Sequence, residues 1–347
     1  MKALVAYAPG ELRIIETDIP KPGPGEVLAR VAYSGICATD VSIMKGELHL
    51  GEGLEPIYPV RLGHEWSGVV EETGPNTKYI KKGDRIISET AISCGVCEYC
   101  LSGEYQRCGE SRAIGTIGDC WPGSLAEYML LTERLVHKLP DNVDLEEAAL
   151  VEPSSIGLCG LLRAAVGPGK NLLVIGTGPI GLGGMAAAKG MGVGRTLLAG
   201  RKDKKLEIGR RMGADVVINM TRENLRDIVM RETDGRGMDI IMDTTGAGEL
   251  VNEELDLLSA SGILVLPGFY EGQIPSFDLN RLIAKNCTLI GAATTANVAR
   301  KVLDLVSNRH IDLKPMITDR FSFEDVIEAF NAVTERNDSR VKVMVKF

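Results

Sequence analysis

Two patterns of apolar residues divide the chain. Up to about residue 150 they come in short runs, such as Val27–Ala32 and Gly68–Glu72. Turn-formers separate these runs, among them Pro22-Gly23-Pro24-Gly25 and Lys82-Gly83-Asp84, and long amphipathic helical stretches are scarce, so this region reads as β-rich. Near residue 153 the pattern changes. Leu172–Ile175 is a buried-strand run, followed by glycine-rich sequence and the helix-compatible Met185–Lys189. Strand-like runs recur at Thr196–Ala199, Val216–Ile218, Asp239–Met242 and Ile263–Leu266, with helical stretches such as Lys204–Met212 between them. Strands alternating with helices predict a parallel, doubly wound sheet. Beyond about 293 come two helical stretches, Val298–Val306 and Phe323–Val333, and a final strand, Val341–Val345. Internal repeats and low-complexity tracts are not found.

Composition narrows the classes. The chain has 347 residues, long for one core, so two domains are expected. A hydrophobic fraction of 44% with 25% charged residues is that of a folded, water-soluble protein. The formal charge of −8 disfavours nucleic acid or an anionic membrane as a bulk partner, since both select basic surfaces. The N-terminal run Ala3–Ala6 is too short for a secretory signal, and the richest apolar stretch, Leu172–Ala188, is interrupted by five glycines. A cytoplasmic location is the expectation. Of eight cysteines, four crowd into 94–108, and clustering of that kind in a reducing compartment points to metal before disulfide.

Cys94, Cys97, Cys100 and Cys108 form C-x2-C-x2-C-x7-C. Two-residue gaps let successive thiolates converge on one ion, and four sulfurs suit tetrahedral Zn²⁺. With every position filled the site is closed, hence structural. An iron–sulfur cluster shares this ligand type, and a chance thiol cluster is the bland reading. Three further segments carry candidates for a catalytic zinc: Cys37 in Gly35–Asp40, His64 and Glu65 in Leu62–Trp66, and Glu152 before Pro153. A thiolate, an imidazole and a carboxylate leave one position open for water or a substrate oxygen, as a catalytic site requires. Thr39 could take the proton that a bound alcohol loses. Singly each is weak evidence, because a lone cysteine is usually a small core residue and a glutamate before proline can simply start a helix.

Leu172–Ile175 runs into Gly176-Thr177-Gly178-Pro179-Ile180-Gly181, a strand followed by G-x-G-x-x-G. Glycines let the turn tighten and let backbone N–H groups approach a pyrophosphate at a helix N-terminus. About 20 residues on, an NAD site would place an acid for the adenosine ribose. This chain has Ala199-Gly200-Arg201-Lys202 there. Arg201 offers a planar cationic fork suited to a 2′-phosphate, and Lys202, Lys204 and Lys205 add positive potential, so NADP is favoured over NAD. A solvated basic helix start is the bland alternative.

In this order, Gly35-Ile36-Cys37 with Thr39-Asp40, Gly63-His64-Glu65, the four-cysteine lobe, Glu152-Pro153 and the glycine loop resemble the zinc-containing medium-chain dehydrogenase/reductase family across essentially the whole chain. The resemblance implies an α/β protein: a GroES-like β-rich catalytic domain (1–154 and 294–347) interrupted by a Rossmann NADP-binding domain (155–293), with the active site between them. It implies two zinc ions per chain. Cys37 and His64 would hold the catalytic one, with Glu65 and Glu152 as candidate third ligands, and Cys94, Cys97, Cys100 and Cys108 the structural one. It places Lys342 near the cofactor pyrophosphate. Glu65 and Val-Glu-Pro look like the sorbitol and threonine dehydrogenase branch, although Ser42 stands where many relatives carry a relay histidine. The implied activity is hydride transfer between a secondary alcohol (polyol, sugar alcohol or cyclitol) or its ketone and NADP(H). An L-threonine or other amino-alcohol dehydrogenase is the rival within the class, and a non-catalytic zinc- or dinucleotide-binding protein the rival outside it. Relatives suggest a homodimer or homotetramer. Tyr58, Trp66, Trp121 and the segment Glu47–Pro59 are candidate pocket walls.

Overall fold

A computed structural model describes residues 1–51, 54–270, 276–293, 295 and 297–347. Part of the segment Glu47–Pro59 and residue 294, where the sequence reading begins the last catalytic segment, lie outside these described residues. The β-rich reading of the first 150 residues holds. Its centre is a seven-stranded sheet around the long strand Glu26–Ile36, which pairs antiparallel with Glu65–Thr73, Tyr128–Thr132 and Lys342–Lys346. The last of these strands comes from the far end of the chain, so the C-terminal segment completes the sheet begun by the N-terminal one. A three-stranded sheet of Lys2–Ala8, Glu11–Glu16 and Val60–Arg61 lies beside it.

The alternating second region forms a six-stranded, all-parallel sheet in the order Val216–Asn219, Thr196–Gly200, Leu172–Ile175, Met238–Asp243, Leu258–Leu266, Thr288–Gly291. Numbered by sequence within this sheet, that order is 3-2-1-4-5-6, the doubly wound arrangement whose reversal point opens a crevice at the carboxyl ends of the strands. Leu172–Ile175 is wholly buried, as a strand covered by helices on both faces must be.

The join between the two regions is a helix, Val151–Arg163. Pro153 sits in its first turn, where a missing N–H costs nothing, and Glu152 beside it meets the positive end of the helix. The helix runs without interruption across the 154/155 boundary drawn from sequence. Helix Ala299–Ser307, read from sequence as part of the catalytic segment, buries Val302, Leu303 and Val306 in one core with Leu158, Leu182 and Met185 of the parallel-sheet side. Among the described residues no helix is long and apolar enough to cross a membrane.

Candidate active site

Cys37 ends the long strand Glu26–Ile36 and caps helix Ala38–Lys45. Asp40, in the first turn of that helix, accepts a hydrogen bond from the Cys37 amide at 2.8 Å through Oδ2. Its Oδ1 accepts from the Gly63 amide at 3.0 Å and lies 3.7 Å from His64 Nδ1. One fully buried carboxylate thereby fastens the cysteine turn to the histidine turn. Sequence reading listed Asp40 as part of a motif without giving it a task. A capping-box acid three residues after a helix start was the signal available.

Glu65 begins the neighbouring strand, opposite Gly35. Lys342 begins the strand on the other side of Gly35. A Cβ at position 35 would lie 2.3 Å from Glu65 Oε2 and 3.3 Å from Lys342 Cδ. Only glycine leaves the gap in which the carboxylate and the ammonium meet, at 2.5 and 2.7 Å, and Lys342 also donates to the Ile36 carbonyl. Lys342, expected at the pyrophosphate, is therefore found against Glu65.

The ligand atoms of Cys37, His64 and Glu65 all lie within 4.8 Å of one another. Glu152 lines the same cleft of about 280 Å³, together with Thr39, Ile156 and Thr244. Thr39 Oγ1 stands 3.7 Å from Cys37 Sγ. Burial, then the charge on Glu65, pushes the Cys37 thiol up to about 12. Burial lifts Glu152 to about 8 and also holds Asp40 above the usual carboxylate range. Burial pulls the His64 imidazole down, but Asp40, Glu152 and Glu65 outweigh it and raise it. Its Nδ1 is buried without a hydrogen-bond partner among the described residues. Lys342 and the raised His64 imidazole thus stand among a thiol and three carboxyl groups, a donor set that accommodates a divalent cation.

The four cysteines of the lobe are also within 4.8 Å of one another, with Cys94 and Cys100 sulfurs 3.9 Å apart. A tetrahedral ion with sulfurs at about 2.3 Å sets sulfur pairs about 3.8 Å apart, so the lobe fits zinc. The Cys97 and Cys94 amides point at Cys94 and Cys108 sulfurs at 3.4 and 3.5 Å, and a hydrogen bond from Ser93 helps hold the Cys100 thiol down to about 6.

At the parallel sheet, Gly176 has φ +111°, and a Cβ there would meet Thr244 Oγ1 at 2.3 Å, so the turn demands glycine. Gly178 caps helix Pro179–Gly190, with Pro179 at the first helical position, and a Cβ on Gly181 would strike the Gly176 carbonyl at 2.3 Å. Ile180 lines the cleft that holds Cys37, His64 and Glu65. A second cleft of about 290 Å³ is bordered by Gly176, Thr177, Gly200, Arg201, Lys202 and Lys205. Thr245 borders both clefts, so they adjoin. Lys204, expected to add to this potential, lines a neighbouring groove with Arg222 instead.

Sequence reading missed Asp243, buried at the carboxyl end of the central strand. It accepts from the Thr245 amide and hydroxyl at 2.8 and 2.7 Å and from the Tyr270 hydroxyl at 2.8 Å, tying together the two loops beside the cleft. The three aromatic candidates for the pocket wall do not line the cleft of about 280 Å³, and Trp66 instead borders a separate small cavity with His64 and Glu152. Tyr58 donates to the Ile43 carbonyl, Trp121 to the Leu130 carbonyl, and Trp66 to Ser88, behind His64.

Residues 23–141 match the family model for the alcohol dehydrogenase GroES-like domain, and 179–308 that for zinc-binding dehydrogenase. The chain is 33% identical to D-arabitol-phosphate dehydrogenase of Enterococcus avium, over 100% of its length and 97% of that protein's. It is also 33% identical to L-threonine 3-dehydrogenase of Pyrococcus abyssi, over 100% of this chain and 98% of that one. A solved structure from Sinorhizobium meliloti 1021, described as a zinc-binding dehydrogenase bound to NADP, superposes with TM-score 0.89 at 27% identity, covering 100% of this chain and 99% of that one.

Proposed function

The chain belongs to the zinc-binding alcohol and polyol dehydrogenase family, with a GroES-like domain and a Rossmann sheet, and from that premise we propose that it transfers a hydride between a polyol-type secondary alcohol and NADP. The observation that carries this reading is the convergence of Cys37, His64 and Glu65 in a cleft that adjoins the dinucleotide crevice. When bound there, Zn²⁺ would supply Lewis acidity to the substrate oxygen, and the nicotinamide would take the hydride.

The chain's own residues do the rest. Cys37, His64 and Glu65 would hold the ion. Lys342 offsets the charge of Glu65, and Asp40 keeps His64 and Cys37 in mutual register. Thr39, on the cleft wall, would accept the hydroxyl proton. Glu152, without an ion-pair partner among the described residues, would orient the substrate's hydroxyl groups or serve as an alternative ligand. Pro153 and Ile156 give the wall an apolar stretch that keeps water from the reacting carbon. Arg201, Lys202 and Lys205 favour the 2′-phosphorylated dinucleotide.

Nicotinamide absorbance tests this directly, with NADP and NAD measured against sugar alcohols, cyclitols, amino alcohols and simple secondary alcohols. Turnover of a polyol with NADP as the better cofactor is the expected result. Turnover confined to L-threonine would move the assignment to the amino-alcohol branch, which the threonine dehydrogenase relative favours. Metal analysis should return two zinc per chain.

A further inference from the structure

The cationic residues at the adenosine end of the dinucleotide crevice are not all idle. Lys202, the residue that caps helix Asp203–Arg211, places its ammonium 2.7 Å from Asp338 Oδ1. Asp338 comes from the far end of the chain, in the turn that precedes strand Lys342–Lys346. Asn337 Oδ1 holds that turn by accepting from the Ser339 amide at 2.9 Å and hydroxyl at 2.8 Å, so the carboxylate is presented by a braced loop. The other cations nearby are differently engaged. Arg340 is paired with Asp319 at 3.3 Å, Lys205 is half-buried over the same crevice, and no ion pair among the described residues holds Arg201.

We propose that Asp338 is a specificity-determining residue: a built-in acidic placeholder that occupies Lys202 where the cofactor's 2′-phosphate would take it. The proposal rests on the NADP reading above. The phosphate brings about two negative charges and three acceptor oxygens to a point ringed by Arg201, Lys202 and Lys205. Lys202 must leave Asp338 to meet it, and Asp338 then stands as a like charge at the rim. NAD, with a neutral ribose hydroxyl at that place, neither needs the lysine nor feels the carboxylate in the same degree. Asp338 therefore lowers selectivity for NADP by competition and repulsion, a difference of affinities produced by a residue that touches neither cofactor. Replacing it should act on one cofactor and not on the other, which a general structural role would not do. At 59% side-chain exposure on a surface turn, Asp338 can be changed without threat to the fold.

The test is equilibrium binding of NADP⁺ and NAD⁺ to the zinc-loaded protein at low ionic strength, by calorimetry. Asp338→Asn should tighten NADP⁺ binding about three- to tenfold relative to NAD⁺. In a Lys202→Ala background the same change should lose most of that gain, because the competed group is gone. An unchanged or lowered NADP⁺/NAD⁺ ratio in Asp338→Asn overturns the proposal, as does a gain that persists in full without Lys202. Arg201→Ala separates the two levels of the reading. If it weakens NADP⁺ alone while Asp338→Asn does nothing, the NADP assignment stands and the placeholder falls. If Arg201→Ala and Lys202→Ala weaken both cofactors equally, the 2′-phosphate assignment falls and takes the placeholder with it.

Discussion

The Cys37 cleft and the cysteine lobe both gather metal-type donors, a sulfur, an imidazole and a carboxylate in the one and four sulfurs in the other, by opposite means. In the lobe, four sulfurs come from residues 94–108, a single irregular stretch whose own amides hydrogen-bond to the sulfurs. In the cleft, the ligands come from two segments far apart in sequence, Cys37 and the His64-Glu65 pair, and Asp40, Gly35 and Lys342 are needed to bring them together and to balance their charge. Within the lobe the neighbouring sulfurs and hydrogen bonds set the thiols apart, Cys100 held down to about 6 and Cys97 raised to about 11, whereas at Cys37 burial pushes the thiol up to about 12. A local knuckle can fold around its ion; the cleft is held ready by the rest of the protein. The first arrangement suits a staple, the second a reaction.

Substitutions should separate the two. The largest effect belongs to His64→Ala, expected to lower kcat/KM by at least about 10³-fold while circular dichroism and the melting temperature stay close to wild type. A collapse of the fold instead would mean that the cleft metal is also a staple, erasing the contrast. Asp40→Asn comes next. It removes the charge that links the two turns, and a loss of about 10–100-fold in metal affinity or activity is expected, read by competition with a chelator. Cys97→Ser should do the reverse of His64→Ala. One zinc equivalent is lost and the melting temperature falls by about 5–10 °C, while activity per folded molecule is largely kept.

The smallest effect concerns a buried acid with no cation to meet. Glu254, in helix Val251–Leu257, has both carboxylate oxygens buried without hydrogen-bond partners among the described residues, and burial, followed by the charge of Asp243, lifts it from an ordinary 4.5 to about 9. The folded protein therefore holds this proton where the unfolded chain has released it. Its favourable contribution is complete below pH 4.5 and is lost as the pH rises toward about 9. Glu254→Gln should raise the melting temperature by about 2–4 °C at pH 9 and progressively less toward pH 5. Glu152→Gln, at a half-buried acid on the cleft wall, should instead cost activity with little gain in stability. If the two glutamines behaved alike, Glu152 would be a packing residue rather than part of the site.

Much of this was legible in one dimension because it is local. The C-x2-C-x2-C-x7-C spacing carries its own geometry. Strand, glycine turn and helix at 172–190 declare themselves through period and residue type: Gly181 answers to the Gly176 carbonyl in the same turn, although Gly176 also answers to Thr244, which only the sheet brings near. The alternation of strands and helices was enough for the parallel sheet. The sites of Cys37, His64, Glu65 and Glu152 could be named from motifs, yet whether they shared an ion depended on strands pairing across the chain.

What the sequence by itself determined is therefore the inventory: a cysteine knuckle, a dinucleotide turn without its acid, and a scattered set of zinc-type donors. What only the tertiary structure decided is the partnership between distant charges. Lys342 went to Glu65, Lys202 to Asp338, Lys204 to a different groove, and Tyr58, Trp66 and Trp121 to hydrogen bonds off the cleft. The reason is physical. Local turns and periods depend on neighbours within a few residues, which the order of residues states outright. Electrostatic pairing across 277 positions, as between Glu65 and Lys342, depends on strand register and on one missing Cβ.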